Sequence, residues 1–129
     1  MANKAILASA VALTTSPVAS TQSSIVGCDK HVIYVLWTPG TSGNVLTITV
    51  ETSPDGTNWC QDMVTPNSGG ALTAQRLTFT HTATGTTLVT FRLDVNDVQG
   101  DRLRIKYSES EAGGATKGTI TAYSFPSAS

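Results

Sequence analysis

From Ile25 to Phe125 the chain alternates apolar and polar residues in short runs, and clusters of turn-forming residues end each run. A period of two marks an extended backbone, because successive side chains of a strand leave on opposite faces. Asn44–Thr52 sets Leu46, Ile48 and Val50 on one face and Thr47, Thr49 and Glu51 on the other. Leu88–Val95 sets Val89, Phe91, Leu93 and Val95 against Thr90, Arg92 and Asp94, and Arg102–Tyr107 repeats the pattern with Leu103, Ile105 and Tyr107. His31–Trp37 is almost wholly apolar, which predicts a central strand covered on both faces. Asn58–Val64, Leu72–Thr80 and Thr116–Phe125 read as further strands, with Thr65–Ala71 as loop.

The expected fold class is therefore all-β: a β-sandwich of about seven or eight antiparallel strands, spaced roughly 10–12 residues apart. Patterning leaves its strand order open between a jelly-roll and an immunoglobulin-like arrangement. With 129 residues there is one core, placed over 25–125, with residues 1–24 as an N-terminal arm or first strand and 126–129 as a fraying tail.

Charge narrows the function classes. Only 13% of residues are charged and the net charge is −1, so a polyanion would find few counter-charges. Arg102, Arg104 and Lys106 form the one basic cluster, on a single strand face. Neither a nucleic acid nor a membrane surface is an expected partner. Met-Ala-Asn-Lys followed by Ala5–Leu13 imitates a signal peptide, but the run is short and Ala-rich, and the segment is read as part of the mature chain. It is also too short and too rich in Ser and Thr to span a bilayer.

No nucleophile elbow, P-loop or dinucleotide fingerprint occurs, so no catalytic residues, cofactor or enzymatic activity are expected. Gly113-Gly114-Ala115-Thr116-Lys117-Gly118 has phosphate-loop residue types in the wrong order and reads as a connection. Cys28, His31, Cys60 and His81 lack the paired knuckles of a zinc site, and the two cysteines are expected as free thiols. Asp94, Asp97 and Asp101 miss the ligand spacing of an EF-hand and read as a solvated turn. Scattered carboxylates show no pairing that would suggest glycoside hydrolysis. Trp37, Trp59 and Tyr34 are the candidates for a sugar-stacking platform, weighed against ordinary core packing.

Ser53-Pro54-Asp55-Gly56-Thr57-Asn58-Trp59 is the most specific stretch. Pro presets φ for the first corner, Asp55 can bond the backbone ahead of it, and Gly56 accepts the left-handed conformation. Trp59 can then fold back and pin the hairpin.

The stretch also resembles a pattern in bacteriophage structural proteins. There, an alternating strand ends in Ser-x-Asp-Gly-x-x-Trp, after an apolar strand and before an Arg-alternating one. Here these parts are Val32–Trp37, Val45–Thr52, Ser53–Trp59 and Arg102–Tyr107. The resemblance implies a phage virion protein, foremost a capsid decoration (cement) protein on the outer capsid surface. It further implies a homotrimer whose partner is the major capsid protein. Ala2–Gln22 would be the arm that reaches a neighbour, with Ala5, Ile6, Leu7, Val11, Leu13 and Val18 making the contacts. A tail or fibre module, and a secreted carbohydrate-binding sandwich, are the rival readings.

Overall fold

The computed structural model describes residues 4–66, 72–96, 98–111 and 116–128. Among them the chain forms eleven strands: β1 (Ala5–Ala12), β2 (Val18–Ala19), β3 (Ser23–Ser24), β4 (Lys30–Thr38), β5 (Val45–Ser53), β6 (Asp62–Pro66), β7 (Leu72–Arg76), β8 (Thr78–Thr82), β9 (Val89–Asn96), β10 (Arg102–Ser110) and β11 (Thr119–Ser127). One sheet, A, has the order β1-β11-β4-β9. The facing sheet, B, has the order β2-β10-β5-β8, with β3 also on β10, and β6-β7 is a separate two-stranded hairpin.

The wiring is that of one long hairpin rolled up. First pairs with last: β1 with β11, β2 with β10, β4 with β9 and β5 with β8, all antiparallel. Rolling then brings β4 against β11 and β5 against β10. That order is a jelly roll, with two interlocked Greek keys, and it decides between the two expected sandwiches.

Alternation positions the core. Ile33, Val35 and Trp37 of β4, Ile120 and Ala122 of β11, Leu46, Ile48 and Val50 of β5, and Leu103, Ile105 and Tyr107 of β10 are all buried between the sheets. Three local expectations need correction. β4 is covered on one face: Tyr34 on the other is 36% exposed, and Val32 and Leu36 are half-buried. Asn58–Val64 does not return along β5. It makes one bridge, Thr52 with Cys60, before the chain leaves for β6. Leu72–Thr80 is two strands, broken at Leu77, whose carbonyl accepts from the Val50 N–H at 2.9 Å.

Of the two readings of the N-terminal segment, arm or first strand, the structure shows a strand, and the C-terminal tail is more integrated than expected. β1 is an integral strand of sheet A, and Leu7, Ala8 and Leu13 belong to the core. Two register shifts interrupt its pairing, and Ala10 has φ of 48°. The irregularity lets the adjacent Leu7 and Ala8 both point inward, which a strict period of two forbids. At the other end β11 runs through Ser127, with Pro126 buried and the Ser127 carbonyl accepting from Asp29 N–H at 3.2 Å.

Candidate functional site

Of the six side chains expected to reach a partner, the structure turns only two fully outward. Ile6 is 57% exposed and Val18 38%, whereas Leu7 and Leu13 are at most 5% exposed and Ala5 and Val11 are half-buried. Leu7 and Leu13 belong to the core and Val11 packs against it. A hydrogen bond from Thr21 N–H to the Leu7 carbonyl and one from Leu13 N–H to Gly118 hold the segment down.

The Ser53–Trp59 stretch is a self-contained knot. Ser53 Oγ accepts from the N–H groups of Asp55 and Gly56 and donates to Asp55 Oδ1. Asp55 Oδ1 in turn accepts from the N–H groups of Thr57 and Asn58 at 2.9 and 2.8 Å, and Oδ2 accepts from Asn58 Nδ2. Those bonds, led by the Asn58 and Thr57 N–H groups, hold the Asp55 carboxyl well below the usual carboxylate range. Gly56 sits at φ +78°, as the turn requires. Trp59 does not reach the core. It lies on the outer face of sheet B, under the Arg104 guanidinium at 4.0 Å from the ring centre.

That guanidinium also bonds the buried Glu51 at 2.7 Å, directly opposite it in the β5–β10 register. Lys106 approaches the same carboxylate at 3.9 Å, and Arg102 pairs with Asp101 at 3.3 Å. The basic cluster is thus matched to acidic neighbours within the chain.

The proposed aromatic platform is dispersed. Trp37 is fully buried, Trp59 stacks on Arg104, and Tyr34 stands on the outer face of sheet A, edge-on to Phe125 at 5.6 Å. The candidate zinc ligands are dispersed too. His31 is buried and its Nε2 donates to the Val98 carbonyl at 2.8 Å, while His81 lies edge-on to Trp37 and beside Phe91. Cys28 and Cys60 are not joined in a disulfide. Among the described residues no cluster of three metal-ligating side chains occurs. Asp94 pairs with Arg92 at 3.0 Å, and Asp97 lies outside the described residues, as do residues 112–115 of the Gly-rich loop.

Sequence reasoning missed two features. The first is Glu109, fully buried at the end of β10. Its Oε1 accepts from Trp37 Nε1 at 2.9 Å and Gly118 N–H at 3.0 Å, and its Oε2 from Asn44 Nδ2 at 2.6 Å and Gly40 N–H at 3.0 Å. Burial pushes the carboxyl pKa up, but these four donors outweigh it and leave the value lowered. The loops meet so closely here that a Cβ on Gly40 would collide with the Thr116 carbonyl, and one on Gly118 with that of Thr38. A signal existed: Glu109 continues the inward phase of Leu103, Ile105 and Tyr107.

The second is an apolar cleft of about 410 Å³ where the sheets part between β8 and β9. Leu46, Ile48, Phe79, His81, Phe91 and Leu93 line it. It opens opposite the side closed by β1, and Leu88, 52% exposed, stands in the loop joining its two rims.

No protein family model matches the chain, and no curated protein sequence does. Among solved structures it is similar to the SPBc2 prophage-derived protein YomS, at 10% identity and a TM-score of 0.57, over 98% of this chain and 92% of that one. It is also similar to a chain of infectious bursal disease virus, Gt strain, at 10% identity and a TM-score of 0.50, over 100% of this chain and 36% of that one. The non-crystalline-cellulose-specific module CBM28 aligns more loosely, at 11% identity and a TM-score of 0.44, over 81% and 63%. At such identities the first two likenesses are likenesses of fold.

Proposed function

We propose that this chain is a structural protein of a phage particle, and specifically a decoration protein that binds the major capsid protein at the outer surface of the shell. The observation that carries the reading is the match to prophage-derived YomS, which spans nearly the whole of both chains with neither trimmed to a shared core. The jelly roll agrees with it, as one of the architectures recurrent in viral shells.

The chemistry within the fold supports a binding role over a catalytic one. Glu109, fully buried with four donors around it, has both oxygens occupied by protein groups. Arg102, Arg104 and Lys106 are matched to Asp101 and Glu51, which speaks against a nucleic-acid partner. Among the described residues no helix is long and apolar enough to cross a membrane. The dispersal of Trp37, Trp59 and Tyr34 removes the specific basis for a secreted sugar-binding module.

Quantitative mass spectrometry of purified particles tests the reading through copy number. Near-stoichiometry with the major shell protein is the expected result. A handful of copies would move the chain to a tail or vertex, and absence from particles would overturn the proposal.

A further inference from the structure

β9 closes sheet A, and among the described residues nothing pairs with its outer side. It pairs with β4 through eight consecutive residue pairs, Lys30 with Asn96 to Trp37 with Val89, without a register shift. Its sequence, Val-Thr-Phe-Arg-Leu-Asp-Val-Asn, contains no Pro, Gly or Lys. Edge strands that must stay unpaired are normally protected by charged side chains, Pro or a bulge; β9 has no Pro and no bulge, and its two charges, Arg92 and Asp94, are of opposite sign.

The charges on this edge are self-complementary. Arg92 and Asp94 share the outer face of β9, with side chains 54% and 51% exposed. A two-fold axis through Leu93 would set Arg92 of one copy opposite Asp94 of the other, twice over. Moving the axis one residue either way would set Arg92 against Arg92, or Asp94 against Asp94. Opposite charges facing across a ladder stabilise it and like charges destabilise it, so the sequence favours one register. In that register Thr90 meets Asn96, and on the inner face Phe91 meets Val95.

We propose that β9 is a self-association surface, pairing antiparallel with β9 of a second copy about a two-fold axis at Leu93. The interface is isologous, the same patch serving both copies. Sheet A becomes continuous across the pair, in the order β1-β11-β4-β9-β9-β4-β11-β1. The half-buried Phe91 and the cleft mouth beside it lie along the seam, where the second copy covers them. A pair replaces the trimer that the phage resemblance implies, and it stands whether or not the virion reading does.

The test is sedimentation equilibrium of the full chain over a range of concentrations. The wild type is expected to reach a dimer. Arg92→Asp leaves two acidic residues on each edge and Asp94→Arg two basic ones, so each variant alone should dissociate at about tenfold higher concentration or more. Mixing the two at equal amounts should restore a heterodimer, since every cross-strand pair is again opposite in charge. The double variant should restore a homodimer. A wild type that stays monomeric or forms trimers overturns the proposal, as do single variants that associate normally or a mixture that stays monomeric. Circular dichroism checks that each variant folds. Should one fail, Thr90→Asp/Asn96→Asp mixed with Thr90→Lys/Asn96→Lys repeats the design on the next pair out, with like charges facing in each variant alone and opposite charges in the mixture.

Discussion

One long side of the sandwich is closed by β1, β2 and β3, and the other by β8 and β9. On the first side β1 is interrupted by two register shifts and a left-handed Ala10, and β2 and β3 are two residues each. Ser20, between those short strands, exchanges hydrogen bonds with Ile105: its N–H donates to the carbonyl and its Oγ accepts from the N–H. On the second side β9 runs eight residues in unbroken register beside an apolar cleft. The N-terminal side holds the more apolar sequence, yet it turns Leu7, Ala8 and Leu13 into the core. Readiness to bind a partner lies in backbone regularity left at an edge, more than in hydrophobic content.

If the N-terminal side is architecture, damage there should cost folding. The largest effect is expected at Glu109, whose knot sits where the N-terminal segment crosses β10 and where Glu109 N–H donates to the Thr14 carbonyl. Glu109→Gln turns an amide NH₂ toward two existing donors and should destabilise the chain by about 3–4 kcal/mol, lowering Tm by roughly 10 °C. Because the folded pKa lies below the ordinary 4.5, the carboxylate's contribution is complete above that pH and is lost as pH falls through the folded value. Melts of wild type and variant should therefore converge as pH falls through that lowered folded value. A gap that persists unchanged there would mean that ionisation of Glu109 is not what stabilises the knot.

Next comes a matched pair on β1. Leu7→Ala should cost about 3 kcal/mol in urea unfolding, while Ile6→Ala, one residue away and exposed, should stay within about 0.5 kcal/mol. Equal effects at the two positions would return the segment to the status of a loose arm. At the Ser53–Trp59 turn, Ser53→Ala removes the acceptor for two backbone N–H groups and should cost about 1–2 kcal/mol, read in the same experiment.

The sequence was legible where burial is one-sided and regular. β5, β9 and β10 follow their period of two closely enough that Leu46, Ile48, Leu93, Leu103 and Ile105 could be placed inside from the pattern alone. It was illegible where the backbone breaks period. In β1 the shifts around Ala8 bury two neighbours, so alternation could not separate a strand from an arm. Glu109 was hidden because a charge at an inward phase reads as the end of a strand, and only the fold brings Asn44, Gly40 and Gly118 around it. The cleft depends on how far two sheets part at one edge, a matter of sheet packing that no local pattern encodes.

The smallest effect tests the irregularity of β1 itself. Ala10 has φ of 48°, a conformation that costs an L-residue about 1–2 kcal/mol and glycine almost nothing. Ala10→Gly would release that strain but add freedom to the unfolded chain, which costs roughly 0.5–1 kcal/mol. The difference predicts a stabilisation of about 0.5 kcal/mol and a rise in Tm of roughly 2 °C. Stabilisation by glycine is unusual inside a strand, so the sign alone is informative. A fall in Tm would mean that Ala10 adopts an ordinary extended conformation in solution. β1 would then keep only the shift between Ile6 and Ala8, and its side of the sandwich would be less protected against strand pairing.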